Sequence, residues 1–242
     1  MMLEKLEKFQ ILALSFIIAA GVVIAANSVT SAITKDTVTV TGSYSQTVTS
    51  DSARLEFELN AREATKSKSY EVLNKQVPVV LKYLEDKGFT KDEIDVKTPN
   101  GYNSYKSYPN GNSSNEIAYY NLSRRFEIKS KDVDKIKNIA DDIPNLIAQG
   151  LDIDVYNPNY YYSKLSDIKV KMLEEATKDA KNRASAMLKA THNRVGKIQS
   201  VKMGVFQITP VDSNDVSDMG ISDITSIEKK ITSVANVTFS VK

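Results

Sequence analysis

The chain has one histidine, His192, and no cysteine among its 242 residues. One imidazole without a thiol cannot build a His-based triad, a thiolate nucleophile, a disulfide or a conventional zinc site. His192 follows a long helical stretch, where an imidazole suits the last helix carbonyls better than general-base work. Adjacent carboxylates occur at Asp141 and Asp142 and again at Glu174 and Glu175, both on helical stretches with lysines nearby. They read as solvated helix surface, since glycosidase-type carboxylates come from different elements and line a cleft. Asp212, Asn214, Asp215 and Asp218 offer oxygen ligands, but Val216 and Ser217 break the order of a calcium-binding EF-hand loop. That stretch reads as a flexible polar loop. No GxGxxG occurs, nor any GxxxxGK followed by Ser or Thr, so the usual phosphate cradles are missing. The expectation is no catalytic residues, no metal, no cofactor and no enzyme activity.

Tyrosine is the informative bias. Nine of the twelve tyrosines lie between Tyr102 and Tyr162. Six of them, Tyr102, Tyr105, Tyr108, Tyr160, Tyr161 and Tyr162, flank or occupy turn signals. A tyrosine brings large contact area at low entropy cost and keeps a polar tip. Three readings stand side by side: loop packing against the sheet, a subunit interface, or a surface for an envelope glycan such as peptidoglycan.

The elements that position these residues begin with an apolar run. Phe9–Ala26 reads FQILALSFIIAAGVVIAA, with no charge between Lys8 and Lys35. Eighteen such residues are just enough to cross a hydrocarbon core about 30 Å thick. The run is longer than the usual apolar core of a signal peptide, which favours a lasting anchor, while the small residues near Asn27 suit a signal peptidase. Residues 1–27 are thus expected to be an anchor or a signal peptide, and 28–36 a polar linker. Residues 37–242 then form one domain outside the cytoplasm, in the cell envelope or periplasmic space. A composition of 41% hydrophobic and 26% charged residues supports a real core. Net charge is +2 without a basic block, so nucleic acid is not expected as a partner.

Alternating patterns predict strands at Thr37–Ser43, Ala53–Leu59, Ile94–Lys97, Ile117–Lys129, Leu151–Tyr156, Gly196–Phe206 and a last one carrying Ile231, Ala235, Val237, Phe239 and Val241. Helical spacing predicts Thr65–Lys87, kinked near Asn74 by Pro78, and Lys131–Leu146, closed by Pro144. A third helix runs to about Ala190, capped by Ser163 or Ser166, with Ile168, Met172, Ala176, Ala180, Ala184 and Leu188 inward. Residues 98–116 and Thr209–Asp223 read as long loops. Arg124 shares a face with apolar neighbours, which calls for a bulge, a sheet end or a partner. The fold class is α+β: a mainly antiparallel sheet with helices on one face. It contains a ferredoxin-like β-α-β-β-α-β core from Ala53 to Tyr156, a further long helix and more strands.

Several pieces in this order resemble the SIMPL-domain family of exported proteins. They are TVTVTGSYS, ARLEFEL, GFTKDEIDVKTPN, YYNLSRRFEIKSKDVDKI, ATKDAKNRASAMLKAT and VGKIQSV, and the resemblance covers roughly residues 37–242. The resemblance implies a non-enzymatic envelope protein, some relatives of which assemble into large rings and some of which are linked to stress tolerance. It implies no catalytic residues. It also implies homo-oligomers; the membrane is the partner expected of residues 9–26 from their apolar run. His192-Asn193 stands where a glycine commonly ends the family's long helix, and Asn193 is expected to supply the left-handed turn there.

Overall fold

The computed structural model describes residues 14–26 and 36–242. Helix α1 covers residues 14–26 of the apolar run. The rest of that run, Asn27, and residues 28–35 of the linker lie outside the described residues. Among the described residues no helix is long and apolar enough to cross a membrane. The first five residues of the span expected at Phe9–Ala26 lie outside the described residues, and within these residues the span is not borne out.

The chain divides into two compact units. Of the described residues, one holds 14–26, 36–44, 172–204 and 233–242, the other 45–171 and 205–232. Strand β1 (Thr37–Thr49) and the final strand β11 (Glu228–Val241) each give one end to each unit.

The larger unit is built on β2 (Ser52–Glu63) and β5 (Ser113–Ser130), antiparallel from Ala53 opposite Ser130 to Glu63 opposite Tyr120. On β2 the odd residues Ala53, Leu55, Phe57, Leu59 and Ala61 are buried, and alternate with polar ones. That period of two turns one sheet face into a core wall. Strands β3 (Ile94–Val96) and β6 (Asp152–Val155) complete the order β3-β5-β2-β6, with β4 (Asn100–Ser107) on β5 and β7 (Asn159–Tyr161) on β2. Every one of these pairings is antiparallel. With α2 (Lys66–Asp86) after β2 and α3 (Val133–Asp142) after β5, the order is the expected β-α-β-β-α-β with β4 added between β3 and β5. Leu73, Val77, Val80 and Leu84 of α2 and Ile136 and Ile139 of α3 close over the same wall. Phe57 and Phe126 are cross-strand partners, fully buried, with rings stacked at 4.8 Å.

Several expectations change here. Residues 98–116 are not a loop but strand β4 and the start of β5, joined by a tight turn at Pro109–Asn112. Asn and Ser alternate there with tyrosine, so the strand carries no apolar period to announce it. The stretch Thr209–Asp223 likewise contains β9 (Gln207–Pro210) and β10 (Ile221–Ser222). The Gln207 amide ties the loop between them, donating to the Ser217 carbonyl at 2.7 Å and accepting from the Ser217 N–H at 3.3 Å. Helix α2 runs through Pro78 to Asp86, and α3 stops at Asp142, where Pro144 opens a 3-10 segment, Ile143–Gln149. Arg124 lies where β3 has ended and β4 begins, and its Nε donates to the Lys97 carbonyl at 3.0 Å. Ser163 does not cap a helix with its hydroxyl, which donates to the Asp51 carboxylate at 2.8 Å.

In the smaller unit the long helix α4 (Leu165–Lys189) presents Ala176, Ala180 and Ala184 to Val40, Ala235, Val237 and Phe239. Gly42 makes the approach possible: a Cβ there would lie 2.1 Å from the Ala176 carbonyl oxygen and 2.3 Å from the Ala180 nitrogen. The Ser43 N–H donates to Asp179 of the helix at 2.8 Å. Ser233 is buried, and its hydroxyl donates to the Met172 carbonyl at 2.9 Å. Strand β8 (Val195–Met203) pairs with β11 and is exposed over most of its length.

Helix α4 ends in a Schellman motif. The Asn193 N–H donates to the Leu188 carbonyl at 2.9 Å and the His192 N–H to the Lys189 carbonyl at 3.2 Å. His192, not Asn193, takes the left-handed conformation, with φ of 60°. The motif places its left-handed residue at C′, and counting from those two bonds makes His192 that residue.

Candidate functional site

The six tyrosines divide into two groups. Tyr102, Tyr105 and Tyr108 belong to the β4–β5 hairpin, and are 61%, 49% and 55% exposed. From Ser113 to Tyr119 strand β5 pairs with β4 alone, because β2 stops opposite Tyr120. This part is a two-stranded ribbon. Tyr105 faces Ile117 across it, and the register shifts on either side of Tyr105. The turn is closed by the Tyr108 N–H donating to the Asn112 carbonyl at 2.8 Å, with Gly111 at φ of 84°. Gly101 sits at the base of the ribbon, where any Cβ would meet Leu122 at 2.3 Å. An isolated two-stranded ribbon is marginal in water, and exposed aromatic side chains on it offer a surface to a partner.

Tyr160, Tyr161 and Tyr162 line a different feature, a cavity of about 190 Å³ shared with Leu165, Ile208, Ile224, Lys229 and Ile231. Tyr160 itself is buried in the core of the larger unit, and its N–H donates to the Ile224 carbonyl at 2.7 Å. Burial, with Asp141 and Asp134 adding to it, holds its phenol above the ordinary value. The structure therefore does not bring the six tyrosines into one surface.

The same cavity holds a residue that sequence reading missed. Lys229 is 2% exposed, and its Nζ donates to the Asp223 carbonyl at 2.8 Å with the Asp223 carboxylate at 3.5 Å. Burial pushes the ammonium below the ordinary lysine value, and Asp223 offsets this only in part. Burial also pushes the Asp223 carboxyl up, but the Thr225 N–H and hydroxyl, Ser226 and Lys229 outweigh it and hold it below its ordinary value. The signal was parity. Lys229 stands two residues before Ile231, on the buried face that continues through Ser233, Ala235, Val237 and Phe239.

A larger cleft, of about 860 Å³, opens at the end of β2 and β5 beside the start of α3. Its charged lining is Arg54, Lys129, Lys131, Lys135, Glu93 and Asp132, and Tyr161 forms part of the wall. Among the described residues no three His, Cys, Asp or Glu side chains converge to hold a metal ion. The adjacent carboxylates are engaged locally. Glu174 and Glu175 both pair with Lys178 and hold its ammonium above the ordinary value, and Asp142 pairs with Lys87.

Comparison with protein families matches residues 38–240 to the family described as SIMPL, a protein of unknown function (DUF541). The chain belongs to the SIMPL family. A comparison with curated proteins finds no match. The SIMPL match spans both units, from the second residue of β1 to the last turn of β11 pairing. It takes in the tyrosine ribbon, the Lys229 cavity and the cationic cleft, so all three belong to the SIMPL domain. Its expected α+β class with antiparallel-dominated sheets is what the structure has.

Proposed function

We propose that this SIMPL-family chain is a non-enzymatic cell-envelope protein that self-assembles through its β4–β5 ribbon. The observation that carries this reading is the ribbon itself. Beyond Tyr120 its two strands pair with each other and with no other described strand, and it exposes Tyr105, Tyr108 and Ile117, with Tyr102 exposed at its base. A second copy would cover those rings and add backbone or side-chain partners to a ribbon that is marginal alone. The run Phe9–Ala26 directs the chain to the membrane and leaves the SIMPL domain on the exported side. In its favour, α1 exposes Phe16, Ile17, Val22 and Ile24, an apolar surface that suits lipid. Tolerance of envelope or oxidative stress is the physiological setting that the resemblance suggests.

The test is light scattering on the full chain in a nonionic detergent, beside a Tyr105→Ser, Ile117→Ser variant. The expected result is an oligomer for the native chain and a monomer for the variant, both with the same circular dichroism. A native chain that stays monomeric at tens of micromolar overturns the assembly reading.

A further inference from the structure

The cleft at the end of β2 and β5 has the size of sites that take small organic molecules, about 300–1,000 Å³. Its volume is about 860 Å³. Four cations and two carboxylates line it. Both carboxylates already accept hydrogen bonds from within the protein. Glu93 accepts from the Thr90 N–H at 3.0 Å, the Ser130 hydroxyl at 2.7 Å and the Lys135 ammonium at 3.2 Å. These bonds outweigh the cost of burial and keep its carboxyl below the ordinary value. Asp132 caps α3, accepting from the Lys135 N–H at 3.0 Å. Lys135 is used up as well: it donates to the Gly88 carbonyl at 2.8 Å and lies 4.1 Å from the centre of the Phe89 ring.

What remains is positive charge with little to hold it. Lys131 has no ion-pair partner among the described residues. Arg54 lies 3.5 Å from Glu56, yet its Nε is out of water and donates no hydrogen bond to any described residue. Lys129 pairs with Glu127, which does not line the cleft. The guanidinium of Arg54 stands 6.0 Å from the centre of the Tyr161 ring, so charge and aromatic surface adjoin. The lining carries four cations against two carboxylates, an excess of positive charge. An anion would meet Arg54, Lys129 and Lys131, while Glu93 is turned to Thr90, Ser130 and Lys135.

We propose that this cleft binds a small organic anion, a carboxylate or phosphate carried on a ring, with Arg54, Lys129 and Lys131 taking the charge and Tyr161 facing the ring. The proposal is independent of self-assembly, since none of the four residues belongs to the β4–β5 ribbon.

The experiment is calorimetric titration of the full chain in nonionic detergent with phenyl phosphate, glucuronate and inorganic phosphate, and with the neutral molecules benzyl alcohol and glucose. Phenyl phosphate or glucuronate is expected to bind at one site per chain. Whichever is tighter tells an organic phosphate from a carboxylated sugar. The neutral molecules are expected to give no saturable heat, and inorganic phosphate to bind about tenfold more weakly than phenyl phosphate, for want of a ring. Lys131→Gln alters an exposed side chain and leaves folding intact; it is expected to weaken anion binding about threefold, and Arg54→Gln about tenfold. Tyr161→Leu should erase the advantage of phenyl phosphate over inorganic phosphate. Neutral and anionic molecules binding alike, no saturable heat with either organic anion, or titrations unchanged by Lys131→Gln would each overturn the proposal.

Discussion

The two units solve the same packing problem with opposite materials. The larger unit fills its interior with Phe57, Phe126, Leu55, Leu59, Leu73, Leu84, Ile128, Ile136 and Ile143, all fully buried. The smaller one uses Ala176, Ala180, Ala184 and Ala235, with Gly42 letting backbone approach backbone. Large side chains gain stability from apolar area removed from water, about 25 cal/mol per Å². Small ones gain it from close approach, where dispersion acts over many short contacts and no space is left. The difference teaches which change each unit tolerates. The larger unit should suffer most from truncation, the smaller most from enlargement.

The largest expected effect tests the first half of that statement. Phe57→Ala removes one ring of a stacked pair from a site with no solvent exposure. It is expected to cost about 3–5 kcal/mol, read as a lowered urea midpoint. Native-state hydrogen exchange should place the loss in β2 and β5. A loss below about 1 kcal/mol would show that the larger unit repacks freely, and the contrast between the units would fall.

Next comes the most deeply buried ammonium of the larger unit's described residues, Lys229. Asp223→Asn leaves the Lys229 ammonium buried without its counter-charge, a change expected to cost about 3 kcal/mol or more. Lys229→Met fills the same space without a charge, and is expected to be nearly neutral or mildly stabilising. The pH dependence follows from the directions of the two shifts. Asp223 titrates below its ordinary value in the folded chain, so its contribution is full above the ordinary aspartate value and is lost as pH falls through the lowered one. Lys229 also titrates below its ordinary value. Its cost is present at neutral pH and is relieved as pH climbs from the lowered value to the ordinary lysine value. Denaturation midpoints against pH should therefore lose part of their acid limb in Asp223→Asn and part of their alkaline rise in Lys229→Met. Unchanged profiles in both would show that the pair does not set them.

Both cores are plain in the sequence. ARLEFEL alternates strictly, and its odd residues are the core wall of the larger unit. The stripe of alanines in α4 was equally plain, and all three are fully buried. The ribbon was not legible, because NGYNSYKS has no apolar period and carries the Asn-Gly signals of a loop. Its strand character comes from pairing with β5, a long-range bond pattern that local composition does not encode. Of the six tyrosines, position relative to turns was readable, but burial was not: Tyr102 and Tyr160 both follow turn signals and have opposite surroundings. Lys229 was readable by parity alone, and it was hidden because a lysine before a strand is ordinarily a solvated one. The cationic cleft draws on five separate stretches of chain, from Ser52 to Tyr161, and only folding assembles it.

The second half of the contrast rests on enlargement. Gly42→Ala adds one carbon where it would press on the backbone of α4 at 2.1 and 2.3 Å. Since backbone on both sides must move, the expected cost is about 1–3 kcal/mol. Exchange should rise in α4 after Met172 and in β11 after Ser233, and stay unchanged in β2. Ala184→Gly runs the other way, and is expected to cost about 1 kcal/mol, mostly as helix propensity. If Gly42→Ala were the milder of the two, close approach would not be what holds the smaller unit together.

The smallest expected effect is a gain. His192 occupies the left-handed C′ position of the Schellman motif that ends α4, at φ of 60°. A side chain with a Cβ is strained there by about 1 kcal/mol, and glycine is not. The strain does no packing work, because the His192 side chain is exposed. His192→Gly is therefore expected to raise stability by about 0.5–1 kcal/mol. Part of the relief is offset by the greater freedom of glycine in the unfolded chain. Thermal denaturation of the full chain measures it as a rise of a few degrees or less, since a chain of this length shifts about 2–4 °C per kcal/mol. The gain should appear undiminished in a Gly42→Ala background, because His192 lies at the far end of α4 from Ala176, and distant sites add. A gain that vanished there would mean that the helix end and the glycine crossing act as one element, which would tie the smaller unit together more tightly than its alanines alone suggest.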